Sequence, residues 1–494
     1  MRTKIKAAYV IADDGGGAGT RVFRNGEVVY RDDLFESVGL NLPVECDRVV
    51  DLGNVIVCPG FVDCNALGDI DHELFYCEQS HGEKLDWSSA YAQNGPIECM
   101  TPEEETFKSL YAYAQLIRHG ITTAMPITSV YYKRAAETYE EIEAAAEHAR
   151  RLGLRVYLGP SYISAMRVVS PDGRRHVRML GDEGVKGLRR AERFVDAHLH
   201  DPGDILHPVM VPERVEFQTS EILKETKEFA QSRGVPVRLH AAQGQYEYDL
   251  IQARHGCSTV KYLDSLGFLD EKTLIPHAIF TSGYSRIEDR SDADVTILAE
   301  RGTHVIHCPL VYSRSGMRLE SFARFKRLGV AMCMGTDTFP PDMFANIRMG
   351  SAMSRNVDGV GPDSSYRAFF EAATIGGAQA LGRSDLGRIA PGCKADFIAV
   401  SLDDFTIGNV DDPIRTLCMN ACGGNVIHSV INGRTVMKDR RIPGVDYGEL
   451  REKAQRYFEK MRSSAIYRSP YGRAFGDGSM DESNFFQAAY PMVG

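Results

Sequence analysis

The sequence predicts an α/β fold: a barrel or doubly wound sheet through the middle of the chain, with one small β domain assembled from both ends. Three observations lead there. Apolar strand-like runs alternate with amphipathic helix-like runs from about residue 59 to residue 387, the pattern of repeated βα units. Residues 1–58 and about 388–440 are instead short alternating runs broken by turns, which read as strands. At 494 residues the chain is also long enough for about two to three domains.

Taken in order, the opening zone holds Ala7–Ala12, Thr20–Phe23, Val28–Tyr30 and Val49–Val57 as strands. Asn25-Gly26 between two of them predicts a hairpin turn. The central zone pairs Thr101–His119 as helix with Ile121–Pro126 as strand, and Lys133–Leu152 with Arg155–Gly159. It continues with Thr219–Arg233 and Val235–His240, then Leu319–Leu328 and Val330–Gly335. Short strands return at Ala395–Leu402, Val426–Ile431 and Val436, the last two joined by a second Asn-Gly pair, Asn432-Gly433. The expected division is therefore 1–58 with 388–440 as a composite β domain, 59–387 as the α/β unit, and 441–494 as a helix (Tyr447–Met461) and tail packed on a neighbouring surface or subunit.

Composition narrows the function. Hydrophobic residues make up 43% and charged residues 25%, ordinary for a soluble globular chain. A net charge of −10 argues against nucleic-acid and anionic-membrane partners, both of which reward basic surfaces. No apolar run approaches the roughly 18–20 residues needed to span a bilayer, and no apolar segment follows the basic residues of Met1–Asp14 in the manner of a signal peptide. Eleven cysteines without a framework spacing read as free thiols in a cytoplasmic protein. Gly15-Gly-Gly is not followed by Lys-Ser/Thr and is no phosphate loop.

Chemistry is concentrated at four strand ends of the central zone. His240 ends Val235-Pro-Val-Arg-Leu-His, His277 ends Leu274-Ile-Pro-His, His307 lies in Val305-Ile-His-Cys-Pro, and Asp337 ends Met332-Cys-Met-Gly-Thr-Asp. A single histidine after an apolar run is usually a satisfied core residue. Successive strands that each end in His or Asp are another matter, because barrel active sites lie at the C-terminal strand ends. Imidazoles with a carboxylate suit one divalent ion, zinc first and cobalt, manganese or iron after it.

These motifs resemble the amidohydrolase superfamily, in the branch of cytosine deaminases and triazine hydrolases. Val57-Cys-Pro-Gly-Phe-Val-Asp is similar to the entry into its barrel strand 1, and Leu116-Ile-Arg-His-Gly-Ile-Thr-Thr to its approach to strand 2. Leu239-His-Ala-Ala, His277, Ile306-His-Cys-Pro and Gly335-Thr-Asp-Thr resemble strands 5 to 8. Ala373-Thr-Ile-Gly-Gly-Ala-Gln-Ala-Leu-Gly with Gly387-Arg-Ile-Ala-Pro-Gly-Cys-Lys-Ala-Asp resembles the exit from the barrel. The resemblance implies a (β/α)8 TIM-like barrel with a small β-sandwich domain, a small-molecule substrate and a homo-oligomer. It implies a metal held by His240, His277 and Asp337, with Asp337 as base and His277, or His307 beside it, polarising the substrate.

Two departures shape the functional expectation. The family places His-x-His at the end of strand 1, where this chain has Asn65 and Leu67; leucine cannot ligate, and an amide oxygen does so weakly. Asn65, or His72 from the following loop, is the candidate replacement. The strand 4 lysine of binuclear members has no counterpart in Ile205–Val215, so one metal is expected. At Gln243 the family's heterocycle deaminases carry glutamate, and glutamine orients a substrate without titrating. The loss of the strand 1 histidine pair resembles the phenylurea and molinate (thiocarbamate) hydrolases. The leading expectation is hydrolysis of a C–N or C–S bond in a urea, carbamate or thiocarbamate by metal-bound hydroxide. The alternatives are a deaminase or dechlorinase of a triazine or pyrimidine, and a metal-free scaffold, against which the retained His and Asp set argues. Gln243, Asn65 and the only tryptophan, Trp87, are the candidate substrate contacts; Trp87 would wall an apolar pocket with Phe75 and Tyr76.

Overall fold

The computed structural model describes residues 1–13, 19–70, 87–94, 98–128, 133, 136–314 and 316–468. His72, Phe75, Tyr76 and the tail beyond 468 lie outside them. Both chain ends contribute to one eight-stranded sheet. Its strands are β1 (Arg2–Ala12), β2 (Arg21–Arg31), β3 (Leu34–Gly39), β4 (Arg48–Asp51) and β5 (Val55–Pro59) from the start of the chain. Barrel strand β6 (Phe61–Leu67) follows, then β7 (Trp87–Ser88), β8 (Ile121–Ile127), β9 (Arg155–Leu158), β10 (Ala165–Val169), β11 (Arg175–Met179) and β12 (Leu206–Pro208). The second half gives β13 (Val237–Arg238), β14 (Thr273–Pro276), β15 (His304–His307) and β16 (Ala331–Met334) before the chain returns to the end sheet as β17 (Phe397–Ser401), β18 (Val426–Ile431) and β19 (Arg434–Lys438).

Two parallel four-stranded sheets, β6-β8-β9-β12 and β13-β14-β15-β16, make a (β/α)8 barrel. They meet on one side where Met210 bridges Val237 in parallel register. They close on the other side where the Asp337 N–H donates to the Asn65 carbonyl at 2.9 Å. The barrel strands are buried along almost their whole length, as expected of parallel strands wrapped by helices. Local signals set the helix limits. Thr101 and Thr138 each form a reciprocal capping box, with Glu104 and Glu141, at the starts of the helices Pro102–Arg118 and Tyr139–Leu152. Both devices satisfy N–H groups that the first turn leaves open. Among the described residues, no helix is long and apolar enough to cross a membrane.

The two Asn-Gly pairs end up differently. Asn432-Gly433 turns β18 into β19, with Ile431 opposite Arg434 and both turn residues at positive φ (52° and 69°), the geometry of a tight hairpin. The hairpin expected at Asn25-Gly26 is absent: β2 runs unbroken through it, with Gly26 opposite Ala7 and Arg24 opposite Tyr9. Asn25 has φ 53° inside the strand, and a Cβ on Gly26 would lie 2.7 Å from Val10 Cγ2. The pair marks a local kink under close packing rather than a reversal. The reversal comes at Asp32-Asp33, where two residues connect β2 to β3.

Arg155 clamps the end sheet to the barrel. It is fully buried on β9 and forms ion pairs with Asp396, just before β17, and with Asp204 Oδ2 at 3.0 Å. Asp396 also accepts the Asn432 N–H at 2.6 Å. Replacing Arg155 by methionine strands the buried Asp396 carboxylate, while the half-buried Asp204 keeps Arg383 at 2.9 Å. Arg155→Met is therefore expected to destabilise by about 3–5 kcal/mol, seen as a lower midpoint of urea unfolding.

Candidate functional site

The C-terminal ends of the barrel strands bring a set of metal-ligating groups together. One ligand atom each of His277, Cys308 and Asp337 lies within 4.8 Å of the others. His277 Nε2 faces Asp337 Oδ2 at 3.5 Å, and the His240 ring lies 5.4 Å from the His277 ring, centroid to centroid. The backbone is unusual there as well. Ala242, His277, Ala278 and Asp337 all have φ between 46° and 75°, a region that residues with a Cβ seldom occupy and that clusters at functional sites.

Hydrogen bonding fixes what these side chains can offer. His240 Nδ1 lies 2.9 Å from the Glu213 carbonyl. A carbonyl only accepts, so Nδ1 carries the proton and Nε2 keeps its lone pair. Neither nitrogen of His277 has a hydrogen-bond partner, and Asn65 Oδ1 and Gln243 Oε1 are likewise buried without one. Burial, then nearby Arg214 and Arg238, holds His240 well below the usual histidine value; burial, then His240, does the same for His277. Both imidazoles are therefore neutral. Asp337 is the more accessible partner, its side chain 15% exposed. Unsatisfied buried polar atoms are costly. Two neutral imidazoles, a carboxylate and an amide oxygen converging in this state fit a divalent transition-metal ion.

Asp63 holds the site's two halves in register. Its carboxylate, on β6, accepts the Thr336 N–H at 3.0 Å, the Thr336 hydroxyl and the Asn65 N–H at 3.2 Å. Burial pushes this carboxyl up to about 6 against those hydrogen bonds. Glu247 does similar work after β13, accepting the N–H groups of Ala242 at 2.6 Å and Gln243 at 2.8 Å.

Not every residue expected at the site is there. His307 stands outside the cluster: its ring packs against Phe322 and Phe369, at 5.6 and 6.0 Å, in the helical layer. Successive strand residues face opposite sides, so when Cys308 faces inward His307 must face out. Trp87 lies in β7, paired with Val168, in a satellite cluster with Ala92, Met166 and Val168. Its T-shaped partner is Tyr91 at 5.2 Å, and the ring edge-on to His277 is Tyr312, at 4.6 Å. Leu67 is buried and apolar. Sequence reasoning passed over Cys308, one residue beyond the histidine it chose, and Glu213, whose carbonyl orients His240. Burial pushes the Glu213 carboxyl up to about 8. The only signal for either was its distance from a strand end.

The family model described as the amidohydrolase family matches residues 56–436. Among curated relatives, the 5'-deoxyadenosine deaminase of Methanosarcina barkeri is 24% identical, over 92% of this chain and 98% of its own. The hydroxydechloroatrazine ethylaminohydrolase of Pseudomonas sp. (strain ADP) is 27% identical, over 97% and 99%. Among solved structures, an adenosine deaminase from Xanthomonas campestris with bound zinc superposes with a TM-score of 0.73 at 20% identity, covering 93% of this chain and 98% of the other. A triazine hydrolase from Arthrobacter aurescens gives 0.73 at 18%, covering 92% and 99%. At such identities the structures establish the shared fold.

Asp63→Asn replaces an acceptor of three donors by a group that is itself half donor. The variant is expected to lose about 1–3 kcal/mol, read from the midpoint of urea unfolding.

Proposed function

The chain belongs to the amidohydrolase family, and on that premise we propose that it is a zinc-type hydrolase that removes an amino or chloro substituent from a carbon of an aromatic nitrogen heterocycle. The observation that carries the hydrolase reading is the group of buried polar atoms without a hydrogen-bond partner at the site, both His277 nitrogens, Asn65 Oδ1 and Gln243 Oε1, beside the Asp337 carboxylate. The heterocycle part rests on the curated relatives, which span nearly the whole chain and whose names describe deamination of adenine nucleosides or removal of an ethylamino group from a triazine. These favour the heterocycle over the carbamoyl substrates that the strand 1 departure first suggested.

His240 Nε2, His277, Asp337 and Asn65 Oδ1 would hold the ion, and zinc is the metal carried by two of the structural relatives. When bound, such an ion supplies Lewis acidity and lowers the pKa of water towards neutrality. The chain's own groups do the rest. Asp337, the accessible carboxylate, takes a proton from the attacking water as its oxygen bonds to the ring carbon. It then returns that proton to the leaving nitrogen as the C–N bond breaks, so that water and the amine-substituted ring become the hydroxylated ring and free amine. Gln243 Oε1 accepts from a ring or exocyclic N–H and fixes the heterocycle's orientation. Because glutamine cannot pass a proton, Asp337 carries both transfers. Tyr312, edge-on to His277 at 4.6 Å, would hold that imidazole in place.

One observation keeps the carbamoyl reading as a second. Gln243 cannot protonate a ring nitrogen, and a urea or thiocarbamate needs no such step.

The test is a panel of amino- and chlorotriazines, aminopyrimidines, adenine nucleosides, ureas and thiocarbamates, assayed before and after chelation. Amine or chloride release from the heterocycles, abolished by chelator and restored by zinc, is expected. Asp337→Asn should lower kcat by about 10²–10⁴-fold. Turnover confined to ureas or thiocarbamates replaces the heterocycle with the carbamoyl substrate, and no turnover with any reconstituted metal removes the hydrolase reading.

A further inference from the structure

We propose that Cys308 is a metal ligand, so that a thiolate from barrel strand 7 takes the place of the histidine pair missing from strand 1. The inference rests on the metal-dependent reading above and adds a donor that the family resemblance does not supply.

Four features of the structure converge on it. Cys308 Sγ belongs to the trio whose ligand atoms lie within 4.8 Å of one another, with His277 and Asp337. The thiol is 2% exposed, and its one described polar contact is weak, the Asn65 Nδ2 donor at 3.9 Å. Next, two polar groups that frame it are buried without a hydrogen-bond partner: both nitrogens of His277, 1% exposed, and Asn65 Oδ1, 0% exposed. These are the orphaned atoms that a bound ion would satisfy. Lastly, Gly335 makes the room. A Cβ there would sit 2.8 Å from Asn65 Cβ and 3.0 Å from Cys308 Sγ, so only glycine on strand 8 lets those two side chains share the site.

The chemistry agrees with the geometry. Without the strand 1 histidines, His240, His277 and Asp337 are the strong nitrogen and oxygen donors left, and cysteine sulfur is among the ligands zinc favours. On binding, the Cys308 S–H bond breaks, a sulfur–metal bond forms, and the proton leaves to solvent. Two neutral imidazoles with one carboxylate and one thiolate then balance a divalent cation, so the buried site carries no net charge, the condition for affordable burial of ions. A thiolate also tilts selectivity towards zinc and cobalt and away from manganese and magnesium, which prefer oxygen.

The test uses the full-length protein with its metal replaced by cobalt(II). A near-ultraviolet sulfur-to-cobalt charge-transfer band is expected at one equivalent, lost in Cys308→Ser and kept in Cys333→Ala, a buried cysteine of the neighbouring strand. Zinc affinity of Cys308→Ser should fall by more than about 10-fold, the lower bound that even outer-shell partners set. If Cys308→Ser does not fold, X-ray absorption of the zinc-loaded wild type decides: one sulfur at about 2.3 Å supports the proposal, and a shell of nitrogen and oxygen alone overturns it. Stoichiometric cobalt with hydrolysis but no band, or a band unchanged in Cys308→Ser, overturns the thiolate while leaving the hydrolase standing. Failure to bind any divalent metal overturns both.

Discussion

The joint between the first and last barrel strands is the constraint on which the site depends. Asp63 on β6 receives two donors from Thr336 and one from Asn65, while the Asp337 N–H reaches the Asn65 carbonyl at 2.9 Å. A parallel barrel leaves no free edge only if its ends meet. Here the meeting is made by a fully buried carboxylate rather than by a long hydrogen-bond ladder. The same few bonds that close the barrel set where Asn65 and Asp337 point. Geometry of closure and geometry of chemistry are therefore one problem in this chain.

Around that joint, burial decides the protonation of the functional groups. His240 and His277 are kept neutral by desolvation, the form in which imidazole binds metal. The Glu213 carbonyl chooses the His240 tautomer. Arg238, two residues before His240 at the end of β13, is also fully buried, donating to the carbonyls of Met125 and Pro126. It places a fixed positive charge beneath the carboxylates of Asp337 and Asp63 and, with Arg214, helps to keep the histidines uncharged.

A second buried network steadies the strand 1 side of the barrel mouth. Lys108 pairs with Glu105 at 2.6 Å and Asp69 at 3.5 Å, and Lys133 with Glu105 at 2.9 Å and Glu141 at 2.7 Å. Burial pushes Glu105 up, but Lys108 and Lys133 hold it down to about 2. Alternating charges let this group stay ionised away from water, where a lone member would be very costly. The chain leaving β6 is thereby tied to the helices Pro102–Arg118 and Tyr139–Leu152, while the Arg155 clamp ties the end sheet on at the opposite, lower side of the same strands.

The αβ alternation, the helix beginning at Thr101, the turn at Asn432-Gly433 and the strand ends at His240, His277 and Asp337 were legible in the sequence, because each depends on local periodicity or local hydrogen bonding, whereas the helix expected from Lys133 starts only after Thr138. Asn25-Gly26 misled, since whether a permissive pair reverses a chain or merely kinks it depends on the packing of Val10 against it. His307 misled for a related reason: a two-residue period is readable, but its phase is not, and only the barrel's closure fixes which of His307 and Cys308 faces inward. Trp87 joined a strand because β10, distant in sequence, offered it an edge. The sequence by itself determined which residue types stand at the strand ends and hence the class of chemistry. The tertiary structure alone decided which of them meet, because convergence on one point is set by strand register, closure and burial, none of which is a property of any local stretch of chain.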